Sequence, residues 1–261
     1  MDRKIKAAIL GCTGYTGLEL IKIIINHKNM NIDFLGSQNN YGYSIDKFDS
    51  SLKNINLPKL EKFENINFSN LDVVFFALPH YLSQNIIKNN FGKCVFIDLS
   101  ADFRINDPNV YKLNYGTNHT CPNLLKDFTY GLAEINSEKI IKAKNIAVPG
   151  CYPTSILIPL IPLIKENFIS TKNIIIDSKS GYSGAGKNFD INNLINDKKM
   201  NFYNYKTNDH RHICEIHQEL KKINNSEIKF SFNPHILPIF RGMMSTIYCD
   251  LNTGINKNNI I

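Results

Sequence analysis

The stretch Ala7-Ala8-Ile9-Leu10-Gly11-Cys12-Thr13-Gly14-Tyr15-Thr16-Gly17 decides how the first half of the chain folds. Its four apolar residues predict a strand, its spaced glycines a tight turn, and the apolar run that follows from Leu18 a helix. Glycines let the backbone approach a ligand closely, and the free N–H groups at a helix start attract phosphate. This order is typical of a dinucleotide-binding unit, although a glycine-rich loop without a ligand is the alternative. The residues that we assign to the cofactor here are Gly11, Thr13, Gly14, Tyr15, Thr16 and Gly17.

Two further apolar runs, Val73–Leu78 and Val95–Ile97, extend this half of the chain. They do not alternate with polar residues, which favours parallel strands that are covered on both faces. Ligands of open α/β sheets bind beyond the carboxyl ends of such strands. We therefore assign Pro79, which follows the first run, to the cofactor site.

The second predicted strand, Ile32–Gly36, bears on the choice of cofactor. An acidic residue at its end would hold the ribose 2′-hydroxyl of NAD, but Ser37 stands there, which mildly favours NADP. Gln38 follows in place of the arginine that would bind a 2′-phosphate. We assign Ser37 to the cofactor, and the choice between NADP and NAD stays open at this point.

The arginines mark candidate anion-binding sites. The chain has four, and Arg104, Arg211 and Arg241 all lie in motif-rich stretches. In a chain that otherwise uses lysine, arginine suggests a planar, bidentate grip on an anion. We assign Arg104 and Arg241, together with Ser100, to an anionic substrate. For Arg104, an ion pair with an aspartate of its own motif is an equally good interpretation.

Composition bounds the class of protein. A chain of 261 residues that is 43% apolar can bury a core in one large or two ordinary domains. No apolar run is long enough to cross a bilayer, and no signal or transit peptide is evident. The six cysteines are scattered without a CxxC pair, which fits a reducing cytoplasm. The net charge of +7 comes from dispersed lysines, so a nucleic-acid partner is not expected.

A second motif, Val148-Pro149-Gly150-Cys151-Tyr152-Pro153-Thr154-Ser155, precedes a long apolar run. A glycine turn that places a cysteine at the start of a helix favours the thiolate, because helix N–H groups and the dipole stabilise negative charge. Cys151 is therefore a candidate nucleophile. A buried structural cysteine is the commoner alternative.

Two stretches of the second half complete the candidate site. Asn173–Asp177 is a predicted strand, and we interpret Ser178–Lys187 as a loop rich in N–H donors that suits an anion or a cofactor ring. The residues assigned to the cofactor in this loop are Ser180, Gly181, Gly184, Ala185 and Gly186.

The segment Asp209–Leu220 reads as a helix with Asp209 as its N-cap. His212 then lies in the first turn, where the dipole favours the neutral, proton-accepting imidazole, and Glu215 one turn on orients it. A metal site is the rival, but His210 and His212 do not share a helix face and no carboxylate has ligand spacing.

These motifs together resemble N-acetyl-γ-glutamyl-phosphate reductase, a family of arginine biosynthesis. The resemblance spans nearly the whole chain and rests on an ordered set, since each motif alone is weak. The set is GCTGYTGLEL at 11–20, IDLSADFRI at 97–105, YGLAEIN at 130–136, VPGCYPT at 148–154, SGYSGAGK at 180–187, HRHICEI at 210–216 and PHILPIFRG at 234–242.

The resemblance implies an α/β fold, with a Rossmann dinucleotide-binding domain over 1–149 and an α+β substrate domain over 150–261. It implies NADP(H), an acyl phosphate substrate, a thioester on Cys151 and His212 as acid–base. His210 and Glu215 are assigned to the substrate, no metal is implied, and a homo-oligomer is expected of the full-length protein.

Family members continue beyond the point at which this chain ends, so we expect a truncated substrate domain. The last residues, 253–261, are interpreted as the beginning of a helix. One enzymatic alternative is aspartate-β-semialdehyde dehydrogenase, which shares the fold and the thioester chemistry. The other is an inactive, shortened relative that only binds nucleotide.

Overall fold

The chain folds as two units, which a computed structural model describes over residues 3–196, 199–224, 227–256 and 258. The first unit comprises residues 1–111 and 117–148, and the second comprises residues 112–116 and 149–261. The expected helix at 253–261 falls partly outside the described residues. No helix in the described part of the chain is long and apolar enough to span a membrane.

A seven-stranded parallel sheet forms the first unit, in the order β3-β2-β1-β4-β5-β7-β6. Its strands are β1 (Ile5–Leu10), β2 (Met30–Gly36), β3 (Leu60–Glu61), β4 (Val73–Phe76), β5 (Val95–Asp98), β6 (Thr129–Tyr130) and β7 (Asn145–Ala147). The helices that join them are α1 (Tyr15–Ile25), α2 (Leu82–Asn90), α3 (Pro108–Tyr115) and α4 (Ala133–Lys142). The last four residues of α3 fall in the second unit.

The apolar strands of this sheet are buried on both faces. Ala8 and Leu10 of β1 pack into one hydrophobic cluster, whereas Ala7 and Ile9 pack into another on the opposite face. Successive side chains of a strand point to opposite faces, so a strand covered on both sides must be apolar throughout. Strands β4 and β5 contribute residues to both clusters in the same way, which confirms the interpretation of their continuous apolar runs.

Residues 129–142 hold two regular elements that the sequence motifs did not predict. Tyr130 is buried at the end of β6, and its strand pairs in parallel with β7. Helix α4 begins three residues later and has no fully buried side chain along its length. A two-residue strand and a surface helix leave little hydrophobic periodicity, which is why the pattern was missed.

The second unit combines two helices with a four-stranded mixed sheet, in the order β11-β12-β8-β13. β12 runs parallel to β8, whereas β11 and β13 run antiparallel to their neighbours. Its elements are α5 (Cys151–Lys165), β8 (Ile174–Gly181), the short pair β9 (Ile195–Asn196) and β10 (Lys199–Met200), β11 (Tyr203–Asn204), α6 (His212–Lys221), β12 (Phe230–Leu237) and β13 (Met243–Tyr248).

Strand β8 shows how this sheet meets its helices. Ile174, Ile176 and Ser178 are buried, while the intervening residues are partly or fully exposed. α5 packs against β13 and α6. The strand continues to Gly181, so the loop predicted at 178–187 is shorter than expected. The small side chains at the start of that stretch allow it to pair with β12 on one side and with β13 on the other.

Candidate active site

The glycine-rich turn of the first unit has the shape that a dinucleotide site requires. Gly11 has a φ of 82°, and a Cβ there would lie 2.3 Å from the carbonyl oxygen of Ala77. At Gly17 a Cβ would lie 2.5 Å from the oxygen of Gly11. Both glycines are therefore fixed by the turn itself. Gly14 precedes α1, and its Cβ would meet nothing closer than 3.4 Å.

The end of β2 lies beside this turn. The hydroxyl of Ser37 is 3.5 Å from that of Thr13, and the backbone N–H of Ser37 donates to the carbonyl of Glu61. Gln38 donates to the carboxylate of Glu64 at 2.9 Å. With no acidic residue in its first turn, the positive end of the α1 dipole faces this turn without a competing carboxylate, so the residues present fit a bound dinucleotide. Tyr15 and Thr16 lie in that first turn, and Pro79 is exposed beyond β4.

Ser100 and Arg104 lie in the interior of the first unit. Arg104 is 6% exposed; its Nε donates to the carbonyl of Val148 at 2.6 Å, and its Nη2 donates to that of Leu99 at 2.8 Å. Ser100 is buried and donates its hydroxyl to Asp98 at 2.8 Å. These two residues thus contact the protein's own backbone and carboxylates. Their assignment to the substrate stays a prediction.

A cavity of about 420 Å³ opens in the second unit. Seven of its lining residues were predicted for the site, namely Cys151, Ser180, Gly181, Gly184, Ala185, His210 and His212. Of the other predicted residues, Gly186 is exposed with a φ of 89°. The guanidinium of Arg241, also exposed, lies 5.2 Å from the ring centroid of Phe240.

Cys151 is the first residue of α5, and of the six cysteines it alone is exposed. Gly150 precedes it in extended conformation and donates its N–H to Glu215 Oε1 at 2.9 Å. Glu215 is fully buried, so its carboxylate fixes the start of the helix that carries the thiol. The sequence suggested that Glu215 orients His212; the contact with Gly150 was missed, because it joins residues 65 positions apart.

The two histidines of the site lie side by side, with ring centroids 4.7 Å apart. The N–H of His212 donates to Nδ1 of His210 at 3.1 Å, so the helix start is capped by an imidazole. The expected cap, Asp209, is wrong, since α6 begins only at His212 with Arg211 before it. Burial, with help from the charges of Arg211 and Lys206, lowers the pKa of His210 to about 4, which keeps this ring neutral at pH 7.

Two cations and three tyrosines that line the cavity, Tyr152, Tyr203 and Tyr205, were not assigned from the sequence. Arg211 and Lys206 line it, and the scarcity of arginine had pointed at Arg211, whereas the Lys206 stretch carries no signal. The hydroxyls of Tyr152 and Tyr205 lie 3.1 Å apart, and burial raises the pKa of both. The cavity therefore combines a thiol, two imidazoles and two cations, which suits an anionic acyl substrate.

Comparison with known proteins defines the class first. The model of the semialdehyde dehydrogenase NAD binding domain matches residues 6–143, and that of the semialdehyde dehydrogenase dimerisation domain matches residues 151–261. Aspartate semialdehyde dehydrogenase II from Vibrio cholerae has a TM-score of 0.72 at 18% identity, covering 99% of this chain and 78% of that one. The enzyme of Candida albicans with NADP has a TM-score of 0.62 at 17% identity, covering 97% and 73%. At such identities the likeness shows the fold alone.

The curated relatives are more specific. The N-acetyl-gamma-glutamyl-phosphate reductase of Ehrlichia canis is 43% identical over 100% of this chain and 75% of its own length. The enzyme of the same name from Alkaliphilus metalliredigens is 45% identical over 98% of this chain and 75% of its own length. The chain belongs to the N-acetyl-γ-glutamyl-phosphate reductase family. Both this membership and the predicted fold class are confirmed.

Proposed function

We propose that this chain reduces N-acetyl-γ-glutamyl phosphate to N-acetylglutamate semialdehyde with NADPH, a step of arginine biosynthesis. The observation that carries the proposal is the position of the exposed Cys151 at the first residue of α5, on the wall of a cavity that also holds His210, His212 and two cations. The likeness to aspartate semialdehyde dehydrogenases is one of fold, so it does not favour that activity.

Cys151 acts as the nucleophile. Its thiolate forms a bond to the acyl carbon, the carbon–oxygen bond to phosphate breaks, and phosphate leaves with the electron pair, which gives a thioester. Lys206 and Arg211 bind the phosphate as it gains charge. Backbone N–H groups at the start of α5 hold the oxyanion that forms during attack.

The two histidines divide the proton chemistry. His210 accepts the backbone N–H of His212 at Nδ1, so its proton is on Nε2, and the neutral ring donates a hydrogen bond to the substrate. His212 is the acid–base that protonates and later deprotonates the oxygen derived from the acyl carbonyl.

The glycine-rich turn and the first turn of α1 would hold the pyrophosphate of the cofactor, and the hydroxyls of Thr13 and Ser37 would be available to its ribose. When bound, NADPH supplies the hydride that reduces the acyl group to the aldehyde level. The match to an NAD binding domain over residues 6–143 supports this assignment.

Replacement of the thiol tests the proposal. Cys151→Ser is expected to reduce turnover by more than about 10³-fold, because a hydroxyl is a far poorer nucleophile, while the Kd for NADPH stays within about twofold. Activity is measured in reverse, from the semialdehyde, phosphate and NADP⁺, with aspartate semialdehyde assayed in parallel. Cys214→Ser, which changes a cysteine of α6 outside the cavity wall, is the matched control.

Near-normal turnover of Cys151→Ser would overturn the nucleophile assignment. Turnover of aspartate semialdehyde that is faster than that of N-acetylglutamate semialdehyde would overturn the substrate assignment. Iodoacetamide labelling addresses the inactive alternative. In an enzyme, Cys151 reacts rapidly and the semialdehyde protects it.

We also propose that the chain works as a homo-oligomer in the cytoplasm. The description of the model that matches residues 151–261 as a dimerisation domain supports the first point. The six cysteines, all of them within the described residues, form no disulfide, which fits a reducing compartment. The mass in solution by sedimentation tests the oligomer, and cell fractionation tests the location.

A further inference from the structure

Tyr81 adopts a backbone conformation that its residue type disfavours. It lies between β4 and α2 with a φ of 75°, in the left-handed region that glycine usually occupies. Such a conformation persists only where the surrounding structure holds it in place. The contact that does so at Tyr81 is a hydrogen bond, in which its backbone N–H donates to Asp102 Oδ1 at 2.9 Å.

Asp102 is fully buried and collects three donors on its two oxygens. Besides the N–H of Tyr81, Oδ1 accepts from the hydroxyl of Tyr111 at 2.8 Å, and Oδ2 accepts from that of Ser83 at 2.7 Å. The hydroxyl of Tyr111 itself accepts from Gln84, so its proton is directed at Asp102. Both carboxyl oxygens of Asp102 therefore act as acceptors, and together they connect Tyr81, Ser83 and Tyr111.

The turn that Asp102 holds is continuous with the nucleotide site. Ala77, the first residue after β4, contacts the glycine-rich turn, since its carbonyl oxygen lies 2.3 Å from the position that a Cβ of Gly11 would occupy. Four residues later comes Tyr81. A second bond ties the same segment down, because the N–H of Ala101 donates to Nδ1 of His80 at 3.1 Å.

We infer that Asp102 is a positioning residue of the cofactor site: it holds Tyr81 in the left-handed region, so that Pro79 and His80 keep the shape that binds the dinucleotide. The inference rests on the proposed use of NADP(H). It concerns how the site is held in shape, since Asp102 is fully buried in the interior.

Asp102→Asn tests it, with binding of NADPH measured by calorimetry rather than by turnover. The amide presents an N–H group to one of the three donors, so the turn is held less firmly. We expect the Kd for NADPH to rise about tenfold. In the Asp102→Asn/Tyr81→Gly double variant, glycine adopts the left-handed conformation unaided, and the Kd is expected to return to within about twofold of that of Tyr81→Gly.

Two controls separate this role from a loss of stability. Ser83→Ala removes a bond to the same carboxylate without touching Tyr81, so it lowers stability but changes the Kd by less than about twofold. Tyr81→Ala removes the phenol but keeps the strained backbone, so it does not rescue Asp102→Asn.

An unchanged Kd in Asp102→Asn, or equal rescue by alanine and glycine at position 81, would overturn the inference. If Asp102→Asn is recovered unfolded, Asp102→Glu displaces the carboxylate by one methylene, and an unchanged Kd there overturns it as well. A wild-type chain that binds no NADPH would refute the proposed function instead.

Discussion

Removal of the Glu215 carboxylate is the most direct test of how the start of α5 is held. Glu215 has no exposed surface, and its Oε1 accepts the N–H of the buried Gly150 at 2.9 Å. A hydrogen bond to a charged acceptor contributes about 1.5–3 kcal/mol, and the N–H left behind in Glu215→Ala is cut off from water. We expect that variant to lose about 2 kcal/mol of unfolding free energy.

The same change is expected to act on the reaction, because Gly150 directly precedes Cys151. We expect kcat/KM to fall by about 10–100-fold, because a displacement of the reacting sulfur by a fraction of an ångström disturbs its alignment with the acyl carbon. Glu215→Gln keeps an oxygen that accepts from Gly150, so it is expected to lose about 1 kcal/mol and to retain most of the activity.

Glu219 supplies a matched control one turn further along α6. It is also buried, but its carboxylate accepts from the half-exposed Lys222 at 2.6 Å. Loss of such a pair costs about 0.2–1 kcal/mol and leaves the start of α5 untouched. Urea unfolding gives the free energies, and the rate of iodoacetamide labelling at Cys151 reports the position of the thiol. The reasoning is refuted if Glu215→Ala has the same urea midpoint of unfolding as the wild type, or if Glu219→Ala slows the labelling of Cys151 as much as Glu215→Ala does.

Two further predictions concern titration and proton transfer. Burial, and then the neighbouring Asp102, raise the pKa of Asp98 to about 7, above the value of about 3.9 in an unfolded chain. The folded state therefore holds more protons between these values, so stability falls as pH rises from about 4 to 7, by up to about 1.4 kcal/mol per pH unit. Asp98→Asn should flatten this dependence in urea titrations at pH 5 and 7, and an equally steep loss in the variant would contradict the assignment. His212→Asn should slow turnover by about 10²–10³-fold, while His210→Asn mainly raises KM; the reverse pattern in steady-state kinetics would exchange their roles.

Local pattern was sufficient for the elements that carry the cofactor and the thiol. The strand, turn and helix from Ile5 to Ile25 follow from apolar residues, spaced glycines and apolar residues again, all within one stretch. The same is true of Cys151, which a glycine turn places at the first residue of α5. In these stretches local propensity and tertiary packing agree.

The elements that the sequence did not predict depend on distant partners. β6 has two residues, and only its pairing with β7 makes it a strand. The cap of α6 is the imidazole of His210, a residue type absent from the usual capping preferences, so Asp209 was the natural but wrong choice. Lys206 enters the cavity from a lysine- and asparagine-rich stretch that has no periodicity. Sequence patterns report local preference, and these features are fixed by contacts between remote segments.

The charged residues of the motifs show a more general difference between sequence and structure. Arg104 and Glu215 were assigned to the substrate, yet their observed partners are the carbonyl of Val148 and the N–H of Gly150, residues that flank the turn before Cys151. Asp102 acts in the same way on Tyr81. A buried charge is costly unless hydrogen bonds compensate it, and backbone groups in irregular segments are the donors and acceptors that lack a ladder partner. Ligand-binding turns are such segments, so a charged residue beside one is as well suited to holding the turn as to holding the ligand. Substitution of these residues should therefore alter the geometry of the reacting groups more than the charge that the substrate meets.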